Sequence, residues 1–546
     1  MKKNILTCIL FCLTLSDILS AQEALLSVQE NYYSFLSLRG LTNRPTLNFR
    51  TFSDSVWAID ESTDHPWMGQ NLGTWHNLFG NFRIRIHGPE LFMSVNTAAP
   101  YGQNDGVLWQ GRGFNSMFRG GVRIEGHGLE LTLLPHVAFS QNLAFDFIQP
   151  NYSGPNYAGR AEDFGYYGVR SIDAPQRFGD RAFFDWDFGD TEIRYTWRTL
   201  TVGFGTQAIW LGPAQLNPII HSNNATAYPR LDIGLRRQAI TLPWRNLHIG
   251  DIEFRAWWGR LSESDWFDND DTNNHNLITG FAIAYNFPSF LTGLTIGFNR
   301  IMLSKWDTMN FSSIFTLLWP FMDDAAGIDE NDQRASIVID YLLPLVGINV
   351  YFEWGRNDFS PGLHHIIRYP FHTQAYTFGV RKAFHFTRNL KGVVLLETTY
   401  IEASKDYLTF IPWATTFYSH HIITQGHTNR GQWLGAGIGT GGNSQYLEFK
   451  LYFPRGYGRF FLQRRNPDLD FTWFMDTEVT PGIREASIRT FFDFGISALY
   501  HLTPNFVVSP SFVFRDEHNP LNRSRDYFKS DRRYNAHFSI LFKYIF

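Results

Sequence analysis

His537 to Phe546 reads HFSILFKYIF, and it ends the chain. Phe538, Ile540, Phe542, Tyr544 and Phe546 alternate with His537, Ser539, Leu541, Lys543 and Ile545. Period two puts the aromatic set on one face of a strand and the mixed set on the other. Chain ends are ordinarily polar and frayed. This one finishes as a complete amphipathic strand with an aromatic last residue.

The opposite end narrows the reading. Met1-Lys2-Lys3 is basic, Ile5 to Leu19 is largely apolar, and Leu19-Ser20-Ala21 precedes Gln22. That is the layout of a secretory signal peptide cleaved after Ala21. The two cysteines, Cys8 and Cys12, both lie inside it. The exported chain is therefore expected to hold no disulfide, although it leaves the cytoplasm. Beyond this segment no apolar run approaches the ~18 residues of a membrane helix.

Alternation recurs along most of the 546 residues. Ile193, Tyr195 and Trp197 lead through Arg198-Thr199 to Leu200, Val202 and Phe204. Ile252, Phe254, Ala256 and Trp258 alternate with Glu253, Arg255 and Trp257, and Leu447, Phe449, Leu451 and Phe453 enclose Glu448, Lys450 and Tyr452. A soluble sandwich hides its apolar face and shows small polar residues. Here the polar face carries Arg, Glu and Lys, and the apolar face carries Phe and Trp; aromatics reach 17% of the chain, with 51 Phe. A closed transmembrane barrel reverses the soluble arrangement, with lipid outside and a wet lumen inside, and closure satisfies every backbone group without a spanning helix. The fold class predicted is all-β: a large closed antiparallel transmembrane β-barrel of about 16–20 strands, 18 favoured. HFSILFKYIF then resembles the terminal strand that the barrel-assembly machinery reads in bacterial outer-membrane proteins, and it would pair with the first strand to close the wall.

The division that follows is a signal peptide over 1–21, an N-terminal periplasmic helical segment over 22–44, and an outer-membrane barrel with long extracellular loops over 45–546. Glu23 to Leu41 holds an amphipathic helix candidate, and Thr46 to Thr51 is the candidate first strand. Long loops are expected at 141–190, 303–335 and 402–444, with a loop helix where Ile314, Leu317, Leu318 and Phe321 have helical spacing. The net charge of −4 argues neither for nor against a polyanionic partner, and no nucleic acid is expected.

Two stretches are distinctive. Tyr101 to Ile124 contains Asn104-Asp105-Gly106, Trp109, Gly111 and Gly113; Val202 to Gly234 contains Trp210, Gly212-Pro213, Ser222-Asn223-Asn224-Ala225 and Pro229-Arg230. Together they resemble the Wzi-type capsule assembly family of outer-membrane proteins. That resemblance implies a large barrel with helices at its periplasmic mouth, in a Gram-negative-type envelope. It implies a lectin that anchors or assembles capsular or exported polysaccharide at the cell surface, and neither an enzyme nor a cofactor-dependent protein. Partners implied are the polysaccharide, outer-membrane lipid and, during biogenesis, the assembly machinery.

Candidate ligand-binding residues follow from chemistry. Asn223 and Asn224 offer amide donors and acceptors to hydroxyls, or else Ser222-Asn223-Asn224 caps a turn. Trp109, Trp210, Trp257 and Trp258 could stack on sugar rings, or pack the barrel and its membrane girdle. Trp306 and Trp319 in 303–335, with Tyr418, Asn429 and Trp433 in 402–444, complete the set. Arg83, Arg85, Arg123 and Arg255 line a lumen attractive to acidic sugars, or pair there with Glu125 and Glu253. The adjacent pairs His364-His365 and His420-His421 point to opposite faces of a strand, and no metal site is expected. No Gly-x-Ser-x-Gly or other catalytic signature occurs. A transport porin and, more remotely, a barrel hydrolase with dispersed Ser, His and Asp are the rival readings.

Overall fold

The computed structural model describes residues 18–22, 25–60, 63–148, 165, 171–243, 247–268, 270–288, 291–310, 313, 315, 331–357, 363–404, 417–470, 488–522 and 531–546. Its main sheet is a closed antiparallel barrel of 18 wall strands. The first are β1 (Arg83–Asn96), β2 (Gly113–Gly126), β3 (Leu129–Leu133 continued by His136–Ser140), β4 (Phe183–Asp187 continued by Glu192–Trp197) and β5 (Leu200–Gly205). Next come β6 (Arg230–Leu242), β7 (Leu247–Ser262), β8 (His275–Asn286), β9 (Leu294–Lys305), β10 (Asn331–Leu343) and β11 (Ile348–Asn357). The wall ends with β12 (Gln374–Thr387), β13 (Leu390–Tyr400), β14 (Asn443–Phe453), β15 (Gly456–Asn466), β16 (Thr490–Thr503), β17 (Phe506–His518) and β18 (Arg532–Tyr544).

Each strand pairs with its sequence neighbour, and β18 pairs with β1 from His537 opposite Asn96 to Lys543 opposite Glu90. The terminal strand therefore closes the wall. Phe538 is 52% exposed on its outer face, whereas His537 and Ile545 are 4% and 5% exposed on its inner face. The same reversal runs round the barrel: Ile193, Tyr195, Trp197, Leu200, Val202 and Phe204 face outward, and Glu192, Arg194 and Thr201 are buried inside. Tight connections such as Arg198-Thr199, Pro454-Arg455 and Pro504-Asn505 lie at one end, and long connections at the other. In outer-membrane barrels the tight end is periplasmic.

Inside, the sequence before β1 does not add wall. Thr46 to Thr51 is not the first barrel strand: only Phe49–Arg50 is extended, and it pairs within the lumen with Trp210–Leu211. Alternation is common to any extended segment, so it could not distinguish a wall strand from an interior one. The helix α1 (Val28–Leu38) is capped by Ser27, whose Oγ accepts the Glu30 N–H at 3.1 Å. It lies across the tight-turn end of the barrel. Tyr32 stacks on Trp67 at 3.9 Å and Phe35 on Tyr452 at 4.2 Å, and the cluster continues through Leu499, Val507 and Ile545 on the wall. Upstream, Ile18–Gln22 pairs antiparallel with Val56–Asp60. Ile314, Leu317, Leu318 and Phe321, the residues of the suggested loop helix, fall outside the described residues.

Four inward-facing arginines and four acids tie wall to interior. Arg123 reaches Glu130 at 2.5 Å, Arg194 bridges Glu192 and Asp232, Arg236 bridges Asp54 and Glu130, and Arg255 bridges Asp54 and Asp232. Arg83 pairs with Glu125. The partners of Arg255 are thus not Glu253. That carboxylate has another task.

Candidate functional site

Irregular backbone inside a lumen carries N–H groups that a sheet would have paired, and burial makes them costly unless an acceptor is supplied. Wall carboxylates supply it. Glu253 accepts the N–H groups of Leu47, Asn48 and Phe49 at 2.7, 3.0 and 2.7 Å. Glu397 accepts those of Gln215 at 2.7 Å and Asn217 at 2.8 Å, and Glu353 that of Ile219 at 2.9 Å. Charge-assisted bonds of this kind are about twice as strong as neutral ones. They draw the long 206–229 connection down into the barrel.

The described part of the 402–444 connection follows it, and so is not an external loop. The Tyr418 hydroxyl donates to the Ile219 carbonyl at 2.7 Å and accepts the Ala436 N–H at 2.9 Å. His427 Nε2 lies 2.7 Å from the Ile220 carbonyl, and the Ser222 N–H donates to Leu434 at 2.7 Å. Ile209, Leu211, Ile219, Ile220, Tyr418 and Ala436 form one core with Trp257 of β7.

Above this core the two distinctive motifs meet. The Gly106 N–H donates to the Asn223 carbonyl at 3.1 Å, and the Asn104 N–H to Asn224 Oδ1 at 3.0 Å. Asn224 Nδ2 then donates to the Trp433 carbonyl at 3.1 Å, while Ser222 Oγ accepts the Asn224 N–H and donates to the Gly435 carbonyl. The Ser-Asn-Asn-Ala stretch therefore works as a capped turn that joins two remote loops. Gly106 holds a φ of +60°, which favours glycine at that joint.

The joint floors a cleft of about 260 Å³ at the long-loop end. Trp109 and Trp433 line it, with the amides of Gln103, Gln110, Gln176, Gln432 and Asn224. Arg465, Arg489, Arg515 and Arg533 line its far side from the outer ends of the last four strands and their connections. Asp105 lies at its base beside Gln110, whose Nε2 donates to Asp105 Oδ2 at 2.8 Å. Burial pushes the Asp105 carboxyl up to about 7. Two broad aromatic faces, several amides and cationic side chains suit a hydroxyl-rich ligand with apolar ring faces.

Of the residues singled out from the sequence, Trp109, Asn224 and Trp433 come together here. Asn223 does not; it lines a separate cavity of about 250 Å³ beneath. Trp210 is fully buried and its Nε1–H donates to the Ala214 carbonyl at 3.0 Å. Tyr418 is fully buried in the core. Asn429 is 2% exposed, accepting the Ser262 N–H and donating to the Thr226 carbonyl. Trp257 is buried against Phe49. Trp306 sits in a short turn beneath Arg260, away from the cleft, and Trp319 lies outside the described residues. The glutamines and the four arginines were missed. Their signal was positional: each arginine stands near the loop end of a wall strand, which requires the strand register to see.

The joint makes a test possible. Asn224→Ala removes two bonds to backbone groups and is expected to lower unfolding stability by about 1–3 kcal/mol. Asn223 Oδ1 has no hydrogen-bond partner among the described residues, so Asn223→Ala is expected to cost under about 0.5 kcal/mol. Denaturant titration of the folded barrel separates the two. Equal losses would mean that the turn, not the Asn224 side chain, carries the joint.

The family model of the capsule assembly protein Wzi matches residues 139–459. No curated protein has a significant sequence match to the chain. Among solved structures, the chain is similar to Wzi of Escherichia coli, described as an outer-membrane protein involved in group 1 capsule assembly and a carbohydrate-binding β-barrel. The match has TM-score 0.54 and 13% identity, covering 84% of this chain and 85% of that one. OccAB1 of Acinetobacter baumannii matches with TM-score 0.38 and 9% identity, over 84% and 96% of the two chains. OpdK of Pseudomonas aeruginosa matches with TM-score 0.39 and 9% identity, over 84% and 98%.

Proposed function

The chain belongs to the Wzi capsule assembly family and is an integral outer-membrane barrel, and from that premise we propose that it holds exported or capsular polysaccharide at the cell surface without transforming it. The observation that carries this reading is the cleft at the long-loop end, where Trp109 and Trp433 stand over a floor of amides. Sugar rings present apolar C–H faces to aromatic rings and hydroxyls to amides. Each such contact is weak, so retention of a polymer draws on several repeats engaging several barrels at once.

The filled interior favours this reading over a transport porin. Segments 25–60, 206–229 and 417–442 cross the lumen and spend the wall's charged side chains on holding themselves there. Export in this reading removes residues 1–21, so that of the Ile18–Gln22 ribbon only Gln22 stays. Assembly machinery and outer-membrane lipid are its partners in biogenesis.

The double variant Trp109→Ala, Trp433→Ala is expected to shed surface polymer into the medium, with polymer synthesis and the heat-modifiable barrel at wild-type levels. Wild-type retention of polymer by that variant would refute the cleft as the site. Large, steady channels from purified protein in a planar bilayer would favour the porin.

A further inference from the structure

Four arginines face the cleft, and three have acids of their own. Arg489 reaches Asp468 at 2.9 Å, Arg515 holds Asp493 through two bonds at 2.6 and 2.7 Å, and Arg533 reaches Glu517 at 2.6 Å. Arg465 is different. Among the described residues it has no carboxylate within salt-bridge distance; its guanidinium lies 5.2 Å over the Phe491 ring, and its Nε is buried without a hydrogen-bond partner. An unpaired, half-buried guanidinium is a costly group to leave unanswered. The other acid in the cleft, Asp105, makes no ion pair among the described residues and accepts a hydrogen bond from Gln110.

Resting on the polysaccharide reading, we propose that the polymer bears carboxylates, as a uronic acid does, and that Arg465 receives one carboxylate per bound repeat. A guanidinium is a planar fork that matches a carboxylate in a bidentate pair. The neighbouring arginines already have acids of their own, so Arg465 is the one guanidinium of the four left for a ligand. That suits a monoanionic carboxylate better than a phosphate, which carries close to two charges at neutral pH. Trp109 and Trp433, on the opposite side of the cleft, then take the ring faces of the same or adjoining residues. Affinity comes from the rings, and discrimination from the arginine.

Removing Arg465 leaves no acid orphaned in the fold, which makes it a clean probe. The test uses purified full-length mature protein in detergent, with three acidic polymers as probes: polygalacturonate, alginate and hyaluronan. Each is paired with its carboxyl-reduced, neutral form. Wild type is expected to bind at least one acidic polymer about tenfold or more tightly than its neutral form, and the preference should shrink as salt rises. Arg465→Gln should abolish the preference while leaving binding of the neutral form unchanged. Arg465→Lys, which keeps the charge without the fork, should restore part of it. Unchanged heat-modifiable migration excludes misfolding as the cause.

No preference for any acidic form by wild type overturns the proposal, as does a preference that survives in Arg465→Gln. If the double tryptophan variant releases polymer from cells while Arg465→Gln retains it as wild type does, the acidic-ligand inference fails and the polysaccharide reading stands. If neither variant changes retention, that reading fails with it.

Discussion

Deleting Arg532–Phe546 leaves no heat-modifiable barrel in the outer membrane. The strand lost is paired along its whole length with β17, from His518–Arg532 to Phe506–Tyr544, and along its second half with β1. Without it, two strand edges face lipid, where each unpaired backbone group costs several kcal/mol. The end of the chain is also tied to the interior. The Ile545 N–H donates to Asn505 at 2.8 Å, Asn71 and Asn505 side chains donate to the Ile545 carbonyl, and the Thr74 N–H donates to that of Phe546. Phe546→Ala keeps these bonds and removes only the outward ring, so a partial fall in assembled protein is expected from it. Electrophoresis of membrane fractions before and after heating reads both variants. Wild-type barrel from the deletion would exclude the closing role of this strand.

Replacing Arg255 by Met is the second change with a large expected effect. The side chain is 2% exposed, its two nitrogens reach Asp232 at 2.6 Å and Asp54 at 3.0 Å, and its guanidinium lies 4.8 Å over Phe49. Breaking a buried pair from one side strands charge in a poor solvent and costs about 3–5 kcal/mol. Arg194 and Arg236 remain to share the two acids, which places the expected loss toward the lower figure. Adding Asp54→Asn to the Met variant should recover part of the loss, because the stranded charge goes with it. Denaturant unfolding of the two variants checks this. A loss below about 1 kcal/mol from Arg255→Met would mean that the network shares its charges more freely than pairwise contacts imply.

Much of the wall was legible before the structure. In HFSILFKYIF the outward face of Phe538 and the inward face of His537 and Ile545 follow from period two and the choice of solvent. Spacing and composition bounded the wall at 16–20 strands with a helix before it, and the barrel has eighteen. The interior was not legible in the same way. Nothing local in Gln215 to Ile219 says that it will turn inward; that depends on Glu397 and Glu353, more than a hundred residues away. The same holds for Tyr418 and Asn429, which look like aromatic and amide loop residues until Ile219 and Thr226 arrive to claim them. Trp109, Asn224 and Trp433 were recognised singly, but their convergence rests on a joint between loops remote in sequence. Arg465 could be valued only after its neighbours had been matched with their acids.

The glutamates that hold the interior also couple it to the closure of the wall. Glu253, Glu353 and Glu397 belong to the seventh, eleventh and thirteenth strands, whereas the segments they grip precede the first strand or follow the fifth. Those segments are threaded through a ring that only the eighteenth strand seals. Once β18 has joined β1 the wall has no lateral opening, so these segments are reached only through the two ends of the barrel. Wall and contents therefore stabilise one another: the seam between β18 and β1 shapes the vessel, and the carboxylates on its inner surface keep it packed.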